Sequence, residues 1–184
     1  MINAWLSKFR RNFIRNEDGN ASVEFVLVFP VYLSIMLFSI ELGMVTLRAT
    51  LLERGMDMAV RDIRLGTGTF GNDQKVFHDL IKDEVCNNSI FILDCKNNLR
   101  LEMASADIRS FASLDTTIDC TDRAETSEPV LNVTPGQQNE LMLLRACLKY
   151  DPLFPKALLG EKLIVDGSGQ GAVVSTTAFV QEPL

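Results

Sequence analysis

The 184 residues have room for one domain plus an anchor, carry a formal net charge of −6, and are 47% hydrophobic with a mean hydropathy of +0.12, high for a soluble domain this size. Residues 49–184 hold 13 Lys and Arg against 20 Asp and Glu, which argues against the basic face that nucleic-acid binding needs. One His, four widely spaced Cys and no visible Ser/His/Asp or Cys/His set leave no expected catalytic residue, metal or cofactor.

The chain opens with a basic leader, residues 1–19, holding Lys8, Arg10, Arg11 and Arg15. Trp5, Leu6, Phe9, Phe13 and Ile14 recur near helical spacing, as in a basic helix lying on a membrane surface, or in a short cytoplasmic flank. An apolar run at about 25–47 follows, with Glu41 as its single charge. A membrane-crossing helix needs ~20 apolar residues, and a secretory signal has only ~7–15 before a small-residue cleavage site. The run is therefore expected to be an anchor. The basic flank keeps the N-terminus cytoplasmic and places the remainder outside. Pro30 within the run is able to kink the helix, which bilayer helices tolerate.

No Pro interrupts residues 43–65, and Leu52, Met56, Ala59, Val60 and Ile63 fall at i, i+3, i+4 spacing. The helix is thus expected to leave the membrane with one apolar stripe and to end at Gly66-Thr-Gly68. Gly66-Thr-Gly-Thr-Phe-Gly71 matches a dinucleotide fingerprint, but a helix precedes it where a strand is required. A second helix is expected over 74–85, capped by Asp73, with Val76, Phe77, Leu80 and Ile81 on one face. His78 reads as a surface or helix-face residue. Strands are expected at 98–103, by period-two alternation, at 141–150 and at 172–180. A short strand at 162–165 should lead through the turn Asp166-Gly-Ser-Gly-Gln-Gly171. Residues 113–140 read as a long loop.

Cys86, Cys95, Cys120 and Cys147 all follow the anchor, as disulfides in an oxidising compartment would. Four cysteines allow three pairings. Proximity in sequence favours Cys86 with Cys95 and Cys120 with Cys147.

The junction Asp18-Gly19-Asn20-Ala21-Ser22-Val23-Glu24-Phe25 sets a glycine five residues before a carboxylate at the head of an apolar helix. Glu24 at the headgroup boundary would cost little and mean nothing. Cleavage after Gly19 would instead give Asn20 a new amine, positive below a pKa of ~8 and one helical turn from Glu24. The pair could set the register of packed helices.

These residues resemble the processing site of type IV pilin-like proteins. The finer resemblance is to the TadE-like proteins of the Tad (Flp) pilus system. It rests on Asn16-Glu-Asp-Gly19, Ser22-Val-Glu24-Phe25 and Phe29-Pro30, then Glu41-Leu-Gly43, Leu52-Glu-Arg-Gly-Met-Asp57 and Val60-Arg-Asp-Ile-Arg-Leu-Gly66. Softer likenesses are Val85-Cys86, Asp94-Cys95, Leu144-Arg145, Asp151-Pro-Leu-Phe-Pro155 and Phe179-Val-Gln-Glu-Pro183. The resemblance implies a minor pilin or pseudopilin of a bacterial inner membrane, trimmed by a prepilin peptidase and working with other pilin-like subunits and assembly-platform proteins. It implies Gly19 as the cleavage residue and Glu24, with Phe25, as the assembly element. Asn20 departs from the Phe of many type IV pilins.

The expected fold is α+β and pilin-like: a long N-terminal transmembrane helix extended out of the membrane, a second short helix and a small antiparallel sheet. Its expected organisation is a leader at 1–19, the helix at 20–65 and a periplasmic domain at 66–184. Two rivals stand beside it: an unprocessed signal-anchored periplasmic interaction domain, and a membrane-tethered periplasmic enzyme.

Overall fold

The computed structural model describes residues 21–65, 74–90, 92–106, 120, 133, 136–156, 158–164 and 169–182. The fold is α+β. Helix α1 (Ala21–Arg64) precedes α2 (Gln74–Asn88), the single turn α3 (Cys95–Asn98) and strand β1 (Leu99–Ser105). Strand β2 (Leu141–Tyr150), helix α4 (Leu158–Leu163) and strand β3 (Gly171–Val180) complete the described elements. The sheet is antiparallel in the order β1-β2-β3, with Leu101 opposite Ala146 and Ala146 opposite Ser175.

The chain separates into two compact units, Met1–Ile40 and Glu41–Leu184. In the first, the described residues 21–40 are one uninterrupted stretch of α1, carried through Pro30. Nearly every side chain there is exposed, including Phe25, Leu27, Val31 and Ile35. By length and composition α1 is the one described helix able to cross a membrane. Ser34 and Ser39 donate their hydroxyls to the carbonyls of Pro30 (2.7 Å) and Ile35 (2.9 Å), four residues back. Thr46 and Thr50 further along α1 do the same, each hydroxyl proton finding an acceptor on its own backbone.

The second unit is a two-layer sandwich of helices on a sheet. The expected stripe of α1, Leu52, Met56, Ala59, Val60 and Ile63, is buried in one core with Phe77, Ile81 and Val85 of α2. Leu99, Leu101 and Met103 meet it from β1, and Met142, Leu144, Ala146 and Leu148 from β2. Helices α1 and α2 cross at Gly55, where a Cβ would collide with Ser89 Oγ and lie 2.6 Å from the Val85 carbonyl. Ser89 Oγ itself donates to the Leu51 carbonyl (3.0 Å), fixing the crossing.

Several expectations change. Helix α2 runs on to Asn88 and packs along Phe77, His78, Ile81 and Val85, leaving Val76 and Leu80 exposed. Its buried line is thus set by the crossing with α1 and not by the most apolar face. His78 is 6% exposed on the packed face of α2, so the helix-face reading of it holds and the surface reading does not. The expected strand at 162–165 is helical to Leu163, with Ile164 bridging to Gly171 and residue 165 outside the described residues. The good helix formers Leu, Glu and Lys outweigh the short apolar alternation there. Within 113–140, Val133 makes a parallel bridge to Met103. Asp73, Gly66–Gly68 and residues 166–168 of the expected turn lie outside the described residues.

The polar face of β1 is also not the solvated face that alternation suggests. Glu102 is 7% exposed, and Arg145, its cross-strand partner, donates to it through Nε (2.8 Å) and Nη2. Two charges buried together need such direct, charge-assisted contact.

Candidate functional site

Glu24 stands in the first turn of α1, where its charge suits the positive end of the helix dipole. Its side chain is exposed, as is that of Phe25, whose ring stacks on Phe29 one turn along (4.9 Å between centroids). Within the described residues this helix head is an apolar, outward-facing surface with one carboxylate. Gly19 and Asn20 lie outside the described residues, and with them the amine proposed to meet Glu24.

The second carboxylate of α1 is placed differently. Glu41 is 1% exposed, although its position near the end of the apolar run suggests a side chain reaching water. One oxygen accepts the backbone N–H of Leu153 (3.2 Å) and the other that of Phe154 (3.0 Å). A buried carboxylate needs such donors, since desolvating one without them costs several kcal/mol (~2–7 even for a neutral polar group). Seven residues further along α1, Arg48 lies over the Tyr150 ring at 4.5 Å from its centroid. Arg48 Nη1 is buried without a hydrogen-bond partner among the described residues. Burial pushes the Tyr150 phenol above its ordinary range; the Glu41 charge acts in the same sense and Arg48 against it.

The segment Asp151-Pro-Leu-Phe-Pro155 is held from several sides. Its two prolines restrict the backbone. Gln170 Nε2 donates to Asp151 Oδ1 (3.0 Å). Gly160 of α4 lies so close to the Phe154 carbonyl that no side chain fits there. Gly171 is pressed against the Tyr150 ring, 2.7 Å from where a Cβ would stand. Glu41 is therefore the centre of a joint that gathers the end of β2, α4 and the start of β3 around α1. Nothing in the sequence near Glu41 signals this, because its partners are 112 and 113 residues away.

The cysteines pair as Cys86–Cys95 and Cys120–Cys147, with Cα separations of 5.7 and 5.4 Å. The first closes the loop after α2 onto α3; the second fastens residue 120 to the middle of β2. A polar cleft of about 500 Å³ lies between α1 and β3, lined by Asp57, Arg61, Arg64, Thr177, Phe179 and Glu182. Arg64 and Glu182 pair across it at 2.9 Å, each about half exposed.

A family model described as TadE-like protein matches residues 19–61. The match begins at Gly19 and takes in most of α1, with Glu24, Phe25 and Glu41. No curated protein and no solved structure matches the chain.

Proposed function

We propose, from the TadE-like match over its anchoring helix, that this chain is a minor pilin or pseudopilin assisting assembly of a Tad (Flp) type IV-like pilus. The observation that carries the reading is that one match takes in Gly19, the helix head and the apolar run together. The role is structural, with no catalysis. The N-terminus is cytoplasmic, the second unit periplasmic, and the anchor sits in the inner membrane. A prepilin peptidase cuts after Gly19, and the new Asn20 amine pairs with Glu24 to register α1 against other pilin-like helices. Exposure of Glu24 and Phe25 on an otherwise apolar surface supports a helix head free to engage neighbours.

Intact-mass measurement of the membrane-extracted protein, co-expressed with its own prepilin peptidase, tests this. Wild type should lose residues 1–19. Gly19→Val should stay at precursor mass, because a side chain at the scissile position obstructs close backbone approach. Glu24→Ala should be cut and inserted normally yet fail to support pilus formation. Uncut wild type would leave an unprocessed anchored interaction domain as the better reading. Normal piliation with Glu24→Ala would remove the registering role.

A further inference from the structure

We propose that the segment 151–156 rests in the lipid–water interface, with Leu153 inserted among the lipids, and that it seals Glu41 from the bilayer. The proposal rests on reading residues 21–40 as the membrane span, ending earlier than the apolar run at about 25–47 because the second, folded unit begins at Glu41.

At 1.5 Å per residue those residues extend about 30 Å, the thickness of the hydrocarbon core. Glu41 is the next residue and begins the second unit. It therefore stands where the helix leaves the core. A carboxylate in lipid costs insertion energy, and snorkelling to water is the usual remedy. Glu41 does not use it, being 1% exposed. Protein donors satisfy it instead, and those donors are the N–H groups of Leu153 and Phe154. Two hydrogen bonds thus hold the 151–156 segment at the level of the membrane boundary.

The composition of the segment fits that place. Leu153 is 46% exposed, between an exposed Asp151 and an exposed Lys156. An apolar side chain flanked by charges, on a backbone restrained by Pro152 and Pro155, suits headgroup depth. Leu42 and Leu47 on α1, just past Glu41, are also exposed at 60% and 45%. Leu42 follows Glu41 directly on the helix, so the bilayer around residues 21–40 is the apolar neighbour that chain connectivity supplies there.

Tryptophan fluorescence in vesicles of phosphatidylcholine and phosphatidylglycerol tests this, using acyl chains brominated at different depths. The full-length chain would carry Trp5→Phe, removing its single tryptophan, and one of three replacements. Ile35→Trp lies in the span. Leu65→Trp lies about 36 Å beyond Glu41 along the helix rise. Leu153→Trp is the query, with Lys156→Trp reporting on the same segment should Leu153→Trp disturb it. Ile35→Trp should be quenched strongly and Leu65→Trp not at all. Leu153→Trp should be quenched most by lipid brominated nearest the headgroups. If Leu153→Trp and Lys156→Trp behave like Leu65→Trp while Ile35→Trp is quenched, the anchor stands and the interfacial segment is refuted. Blue-shifted but unquenched Leu153→Trp emission would mean that protein covers the site, which also refutes it. An unquenched Ile35→Trp would overturn the span itself.

Discussion

Two carboxylates seventeen positions apart on one helix have opposite fates, and exposure separates them. Glu24 faces outward, whereas Glu41 is enclosed and holds two backbone N–H groups. Glu41→Ala would leave two part-buried N–H donors without their acceptor, at up to about 1–3 kcal/mol each. Glu41→Gln keeps one acceptor oxygen but turns an amide NH₂ toward the second donor, so its loss should be about half as large. Glu24→Ala should leave the stability of the second unit unchanged. Chemical unfolding of the detergent-solubilised protein would rank the three. Equal midpoints for Glu41→Ala and wild type would remove the proposed joint. The sequence places Glu41 near the far end of the apolar run, where a carboxylate can reach water, and the structure encloses it instead. What distinguishes them is a contact with a segment more than a hundred residues downstream, and local pattern does not encode that.

Among the elements, the ones with sustained periodicity were legible and the ones fixed by contact were not. The stripe from Leu52 to Ile63 is the helix's buried line, and β2 and β3 fall within one residue of their apolar runs. Residues 162–165 misled because four residues cannot separate strand from helix. Val76 and Leu80 misled because α2 is positioned by a glycine on another helix. Gly55 lets α2 approach α1 closely enough for Ser89 to reach the Leu51 carbonyl. Gly55→Ala should therefore destabilise by about 1–3 kcal/mol through overpacking, despite a gain of ~1 kcal/mol in helix propensity. Gly43 has no atom within 4 Å of a built Cβ, so Gly43→Ala should be neutral or stabilising by up to ~1 kcal/mol. Thermal unfolding of both variants checks the pair. A Gly55→Ala protein as stable as Gly43→Ala would show that the helices can separate at no cost.

For the molecule as a whole, the two disulfides close loops of different size, with sequence separations of 9 and 27 residues. Chain-entropy reasoning gives about 2.5 kcal/mol for the shorter loop and about 3.5 kcal/mol for the longer. The double variant Cys120→Ser/Cys147→Ser should accordingly unfold at lower denaturant than Cys86→Ser/Cys95→Ser. The reverse order in a urea titration would contradict the loop-size account. The α+β class, the anchor helix and the candidate cysteine pairs were all readable from one chain. The Glu102–Arg145 pair was not, because a charged residue in an alternating strand looks solvated until its partner across the sheet is known.

The order in which the core's parts are made bears on the life of the nascent chain. The α1 stripe spans 52–63, while the strand that lies across it, β2, spans 141–150. At about 5–20 residues per second, the interval between the two is roughly 4–20 s. Throughout that time Leu52, Met56 and Ile63 have no sheet to cover them, and β1 has no partner strand. Among the described strands, both outer ones pair with β2, so the sheet closes only once β2 has been made. A newly made molecule thus passes through a sticky interval whose length is set by the distance in sequence between a helix and a central strand. Slower elongation would lengthen it, and a holdase bound to the helix would make it harmless.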